Sequence, residues 1–245
     1  MDPVSVIREV IEALRPPPGN RHGPLPPLMV ALTVVTGVVD AASYLKLGHV
    51  FVANMTGNVV FLGFALAGAG GLSISSSLLA IASFLLGAFG GGWLGARNAE
   101  HRGRILRASS ATQATLLLVA LIVALGFSEP FSSGARYALI VPLALAMGVQ
   151  NAAAQRLSIP ELTTTVLTKT LVGIASESSL AGGPGSQLGR RLVAVLAMLL
   201  GALFGALLAL HVSVAGALAL AAAIVLVVGL AVHLLSRPDA AWVKS

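Results

Sequence analysis

Cysteine is absent from the 245 residues of this chain. That excludes disulfides, zinc–thiolate sites, iron–sulfur clusters and a cysteine nucleophile, and it leaves the redox compartment open. Charge is scarce as well: 10% of residues are Asp, Glu, Lys or Arg, against about a quarter in soluble proteins. Aromatic residues reach only 5%, whereas hydrophobic residues make up 56% and the mean hydropathy is +0.92. These proportions define an all-α polytopic membrane protein. The 27 glycines suit closely packed spans, where small residues let backbones approach. The net charge of +6 comes from basic residues bordering apolar segments, so it reports orientation in the bilayer rather than nucleic-acid binding.

Residues 1–28 hold no apolar core of signal-peptide length, so no cleavable signal is expected. Asp2 as N-cap and Pro3 at the first helical position start a short amphipathic helix with Val6, Ile7, Val10, Ile11 and Leu14 on one face. Such a helix lies on the membrane or on a neighbour. A Pro-rich linker follows, Arg15-Pro16-Pro17-Pro18-Gly19 and then Pro24 to Pro27. Beyond it, apolar segments fall near 29–47, 50–69, 74–96, 110–127, 136–156, 161–179, 190–211 and 213–235, ahead of a 236–245 tail.

Lys and Arg decide how many of these segments cross. With eight crossings, Arg8, Arg15, Arg21, Arg136, Arg190, Arg191, Arg237 and Lys244 lie on the side of the termini, and Lys46, Arg97, Arg102, Arg104, Arg107 and Arg156 lie opposite. That division carries no orientation signal. If the second and sixth segments leave by the face they enter, only Lys46 and Arg136 remain opposite the termini. The positive-inside rule therefore favours six crossings, two re-entrant or broken segments and both termini in the cytoplasm of an inner-membrane protein. Eight full crossings remain the alternative.

The chain also resembles itself. Gly37-Val38-Val39-Asp40-Ala41-Ala42 matches Gly148-Val149-Gln150-Asn151-Ala152-Ala153, Met55 to Val60 matches Leu167 to Val172, and Leu85 to Phe89 matches Leu199 to Leu203. The ordered offsets imply a duplication with halves near 29–127 and 136–235, and three crossings per half invert the second against the first. Gly87, Gly91 and Gly95, like Gly201 and Gly205, recur every four residues as helix-packing ridges.

The runs Thr33 to Ala41, Phe51-Val52-Ala53-Asn54-Met55-Thr56-Gly57-Asn58-Val59-Val60, Gly148 to Ala152 and Leu162 to Thr168 resemble the YoaK family of bacterial membrane proteins. The resemblance covers roughly residues 30–235, with Asn-Met-Thr-Gly-Asn its most specific block. It implies a multi-spanning inner-membrane protein of unknown function, and brings no assigned catalytic or binding residue.

Polar residues inside a span are functional candidates by default. Asp40 lies about 16 Å along its helix from Met29, close to the middle of a roughly 30 Å core; there a carboxylate must be paired, hydrated or protonated. It is a coupling site, a cation ligand, or one half of a fixed salt bridge or helix-terminus hydrogen bond. Asn151 takes the matching place in the second half. Lys169 snorkels, pairs with Asp40, or meets an anionic solute. If both re-entrant helices start at the midplane, Asn54, Thr56 and Asn58 converge with Thr164, Thr165, Thr168 and Thr170, a lining suited to a small polar or anionic solute. The alternative for these groups is back-bonding or interhelical glue.

The five histidines form no metal-ligand pattern, and no cofactor is expected. A single intramembrane acid argues against aspartyl proteolysis, and no serine nucleophile motif appears, so no enzyme is expected. A secondary transporter is the first expectation, with a channel or a non-transporting scaffold as alternatives. The bilayer and an unidentified small solute or ion are its expected partners, with no nucleic acid and with a homo-oligomer open.

Overall fold

A computed structural model describes residues 3–17, 19–159, 167–177, 187–236 and 241–243. Nine α-helices lie among them: α1 (Pro3–Leu14), α2 (Leu25–Lys46), α3 (Met55–Leu66), α4 (Ile74–Arg97), α5 (Arg102–Gly126), α6 (Ser133–Leu157), α7 (Leu167–Ser176), α8 (Leu188–His211) and α9 (Val214–Leu235). Six of them, α2, α4, α5, α6, α8 and α9, are long and apolar enough to cross a bilayer. With 12 residues, α3 reaches only about 18 Å of a roughly 30 Å core.

Two boundaries differ from the expected ones. The Pro-rich linker ends earlier, because Pro26 and Pro27 occupy the first turn of α2, where a missing N–H costs the helix nothing. The third span, expected from residue 110, begins at Arg102: His101 caps α5 by accepting from the Arg104 N–H, and Ile105 and Leu106 are buried. The basic residues that seemed to border a span are its first turns.

One end of the bundle, the proximal face, carries α1 and the starts of α2, α5 and α8. There Arg102 donates to Leu157 O at the end of α6 (2.7 Å), and Glu9 of α1 accepts from the Gln187 and Gly189 N–H groups at the start of α8 (3.1 and 2.8 Å). The amphipathic α1 thus rests on a neighbour. Its Asp2 cap lies outside the described residues. At the opposite, distal face, Glu129 joins three elements by pairing with Lys46 (3.2 Å) and accepting from Val214 N–H (2.8 Å).

Helix direction fixes the number of crossings. Val34 and Val38 of α2 meet Gly201 and Gly205 of α8 in the same order, so these helices run parallel. On α5 and α9 the pairs run oppositely: Gly103 with Ser236, Arg107 with His233 and Ser110 with Gly229. An antiparallel α5/α9 pair requires that α7 not cross, and with that a parallel α2/α8 pair requires the same of α3. Eight full crossings are thereby excluded.

The expected glycine ridges are where backbones touch. Gly87 and Gly91 of α4 face the backbone of Leu145 and Val149 on α6, while Gly201 and Gly205 of α8 face Val34 and Val38 on α2. Gly95 differs, giving room to the Arg156 side chain. Gly37 and Gly148 complete the contacts reciprocally, against α8 and α4. The remaining packing has the same pairwise form: α5 lies on α6 and α9 on α2, α3 on α4 and α7 on α8. Replacing the first four membrane helices by the last four, in order, leaves this set of neighbours unchanged.

These approaches leave no room for side chains. A Cβ at Gly91 or Gly205 would stand 2.9 or 2.6 Å from a facing Cα, whereas Gly90 and Gly92 have nothing within 4 Å. We expect Gly91→Val or Gly205→Val to lower stability by about 2–3 kcal/mol or prevent assembly, and Gly92→Val to change it by less than about 0.5 kcal/mol. Thermal unfolding in detergent reads the difference, and equal losses at Gly91 and Gly92 would refute the assigned contact face.

Candidate functional site, a cavity between two half-helices

The segment before α3 explains the Asn-Met-Thr-Gly-Asn block residue by residue. Helix α2 stops at Leu47, and Gly48 and His49 both take positive φ (96° and 56°), turning the chain back toward the bundle interior. Residues 50–54 then run without helix to the start of α3. Asn58 holds this stretch: its Oδ1 accepts from Phe51 N–H (2.9 Å) and its Nδ2 donates to Phe51 O (2.6 Å). Gly57 leaves space for the Phe51 ring, where a Cβ would come within 2.7 Å, and that ring stacks between Tyr44 and Phe61.

Asp40 supplies the second clamp. Its Oδ1 accepts from the Val52 and Ala53 N–H groups (3.0 and 2.8 Å), so the non-helical backbone at mid-depth finds acceptors without water. The other oxygen, Oδ2, is buried and makes no hydrogen bond among the described residues. Helix α3 then runs back to the face from which its segment came, where His49 Nδ1 lies 3.2 Å from Gly71 O and closes the neck.

Helix α7 leaves toward the other face. Glu177, just beyond its end, pairs with Arg191 in the first turn of α8 (2.7 Å), and Gly173 makes room for that guanidinium. The starts of α3 and α7 meet at one cavity of about 660 Å³, a size suited to small ligands. Thr36 and Asp40 of α2, Asn54 and Thr56 at the start of α3, and Thr168 of α7 line it, with Phe84 and Met198 as apolar walls. Asn54 gives α3 no side-chain cap, so first-turn N–H groups lack intrahelical partners, with the Asp40 carboxyl held just before them on the Val52 and Ala53 N–H groups.

The expected site residues therefore separate. Asp40, Asn54, Thr56 and Thr168 share the cavity. Asn58 does not: it is fully buried on the Phe51 backbone. The Asp40–Lys169 pair does not form, since Asp40 is held by backbone amides and Lys169 is exposed on α7. Its long stem carries the charge outward at less cost than burial. Thr170 is buried, and Asn151 donates back to Met147 O in its own helix (2.8 Å). Thr164 and Thr165 lie outside the described residues.

One polar connection was not anticipated. Gln150 of α6 accepts from Gln113 of α5 and donates to Thr36 Oγ1 (2.8 Å) and Leu32 O (3.2 Å) of α2, all in the buried interior. The only sequence signal was that Gln113 and Gln150 interrupt apolar runs. Among the described residues no three His, Asp or Glu side chains gather in a metal-binding cluster.

These features define a six-span helical membrane protein with two half-length helices starting at a shared interior cavity. The chain belongs to the family described as "Protein of unknown function (DUF1275)", whose model matches residues 28–231. It is similar to the UPF0700 transmembrane protein YoaK of Bacillus subtilis (strain 168), 34% identical over 155 residues, covering 62% of this chain and 66% of the relative. The chain thus spans just under two thirds of that relative's length. No solved structure matches.

The division between clamp and lining is measurable. Asn58→Leu leaves the Phe51 N–H and C=O without partners, and we expect a loss of about 2–4 kcal/mol. Lys169→Met should change stability by less than about 0.5 kcal/mol, alone or with Asp40→Asn. Rescue of Asp40→Asn by Lys169→Met in a thermal unfolding series would restore the ion-pair reading.

Proposed function

We propose that this protein is a secondary transporter of a small polar or anionic solute, coupled to a proton or cation through Asp40. The observation that carries the reading is the unpartnered Oδ2 of Asp40 beside a cavity where two half-helices begin. In holding the segment before α3, Asp40 uses one oxygen, Oδ1. The second oxygen makes no hydrogen bond among the described residues and is available to a proton or cation. The uncapped start of α3 favours an anion or a polar group bearing partial negative charge. Thr56, Asn54 and Thr168 add neutral donors and acceptors, which position a solute without fixing its charge.

The halves related by offsets near 111 to 114 form an inverted repeat in this proposal. Its support is the exchange-invariant set of helix neighbours and the departure of α3 and α7 toward opposite faces, a plan on which one half can rock against the other. Transport rather than catalysis is proposed because, among the described residues, the cavity lining holds one acid and no nucleophile–base pair.

Reconstitution tests the function. In proteoliposomes, uptake of labelled small carboxylates and inorganic anions under an imposed pH or cation gradient should saturate for one of them. Asp40→Asn, whose amide oxygen still accepts from Val52 and Ala53, should fold normally and lose gradient-driven accumulation while retaining exchange down a concentration gradient. Flux that rises linearly with concentration and ignores Asp40→Asn would favour a channel.

Orientation is proposed from the basic residues: the proximal face is cytoplasmic, because among the described residues Lys46 and Arg136 are the basic side chains at the distal one. The cysteine-free background makes the check direct. A single cysteine at residue 100 should react with an impermeant maleimide only in inverted vesicles, and one at residue 70 only in right-side-out cells. The reverse pattern would overturn the assignment.

A further inference from the structure

A second site lies at the distal face, apart from the central cavity. The geometry points to a binding site for a small oxyanion, phosphate or sulfate in chemistry, between the starts of α4 and α6 at the neck of the segment holding α3. A cavity of about 250 Å³ opens there, bordered by Gly48, Gly71, Ser76, Ser133, Arg136 and Tyr137. The volume suits a compact anion with a few waters and falls below the usual range for larger organic ligands.

Four observations give the pocket its charge preference. Helices α4 and α6 both begin at it, capped by Ser73 and Ser132 through the Ser76 and Ala135 N–H groups. The amides of Ile74, Ser75, Ser133 and Gly134 remain without intrahelical partners. The two starts are tied together by Ser75 Oγ and Tyr137 OH (2.7 Å), so two positive helix ends are held at one place. Arg136 is fixed by Nε donating to Phe131 O (3.1 Å), which leaves both terminal nitrogens for a ligand.

Ser76 supplies the independent sign of a ligand. It is 4% exposed and borders the cavity. Its N–H serves the Ser73 cap, while its hydroxyl makes no hydrogen bond among the described residues. Ser76 is otherwise enclosed while its Oγ keeps access to the cavity, so the contents of the pocket are what meet this hydroxyl.

Among the described residues no acid borders the pocket. Glu129 borders the adjoining cavity that shares Arg136, and both its oxygens are engaged, one by Lys46 and one by Val214 N–H. The local field therefore has no counter-charge of its own. An oxyanion would meet a guanidinium, helix-start amides and hydroxyls together, and because Gly48 and Gly71 form one wall it would brace the neck closed by His49 and Gly71.

The test needs no knowledge of the transported solute. Thermal unfolding of the purified full chain is followed as sodium phosphate or sodium sulfate replaces sodium chloride at constant ionic strength. The expected result is a saturable rise in Tm with phosphate or sulfate but not chloride. Arg136→Gln should weaken the apparent affinity at least about tenfold, the loss of a charge-assisted contact, and Ser76→Ala by roughly threefold to tenfold. Arg104→Gln on the proximal face should leave it unchanged. If Arg136→Gln fails to fold, Ser76→Ala combined with Ser133→Ala decides the matter. Dihexanoyl phosphatidylglycerol that competes with phosphate would assign the site to a lipid headgroup, and failure to compete would assign it to a free anion. The proposal falls if chloride gives the same rise, if none of these anions gives any, or if the rise survives the loss of Arg136 or of both serines.

Discussion

Backbone amides brought into the bilayer interior without helix must find acceptors there, since water is absent. The rest of this architecture depends on how that demand is met between residues 50 and 54. Asp40 accepts from two of the amides and Asn58 from a third. Hydrogen bonds to a charged group are worth roughly 1.5–3 kcal/mol each, and an unmade one at a buried site costs a similar amount. The two side chains approach from different helices, α2 and α3, so the extended stretch is pinned on both sides. Only because it is pinned can α3 start at mid-depth, leaving its uncapped end at a cavity instead of at the membrane surface.

The glycine contacts meet a complementary need. Helices in lipid gain little from apolar burial against one another, so association relies on close approach. Gly37 and Gly201, like Gly87 and Gly148, let α2 and α8, and α4 and α6, meet backbone to backbone. Those two parallel pairs put α2, the helix that carries Asp40, directly against α8, the helix whose first turn holds the end of α7 through Arg191. A single packed interface therefore connects the anchors of both half-helices. Gln150, reaching from α6 to Thr36 on α2, adds a buried polar link one turn from Asp40.

The spans were legible because each is a long apolar run, and the broken second segment because its two readings distribute Lys and Arg so differently. What the sequence concealed was contact. The partners of Asp40 are backbone amides 12 and 13 residues away, and an amide carries no residue-type signature, so Lys169 was the visible candidate for a match. Asn58 looked like Asn54 and Thr56 because the three are polar residues within about one turn of each other. Only the turn before α3, which brings Phe51 back over it, separates the residue that holds the backbone from those that face the cavity. The helix starts misjudged at α2 and α5 have a common cause: proline and arginine read as interruptions, yet both are compatible with the first turn of a helix.

The two halves differ at one informative position. Asn151 occupies in α6 the place that Asp40 occupies in α2, and its amide nitrogen donates to its own helix at Met147 O. An amide oxygen at residue 40 would satisfy the same two N–H groups that the carboxylate satisfies, so the fold by itself does not require an acid there. A carboxyl at mid-depth adds a desolvation cost that an amide would avoid. The acid adds a second oxygen, and that oxygen makes no hydrogen bond among the described residues while its side chain borders the cavity. The proposed coupling role rests on that atom, since a residue costlier than its structural equivalent leaves one oxygen without a partner among the described residues. The structural role of Asp40 and the role proposed for it thus fall on different oxygens of one carboxyl group, so Asp40→Asn can remove one and keep the other.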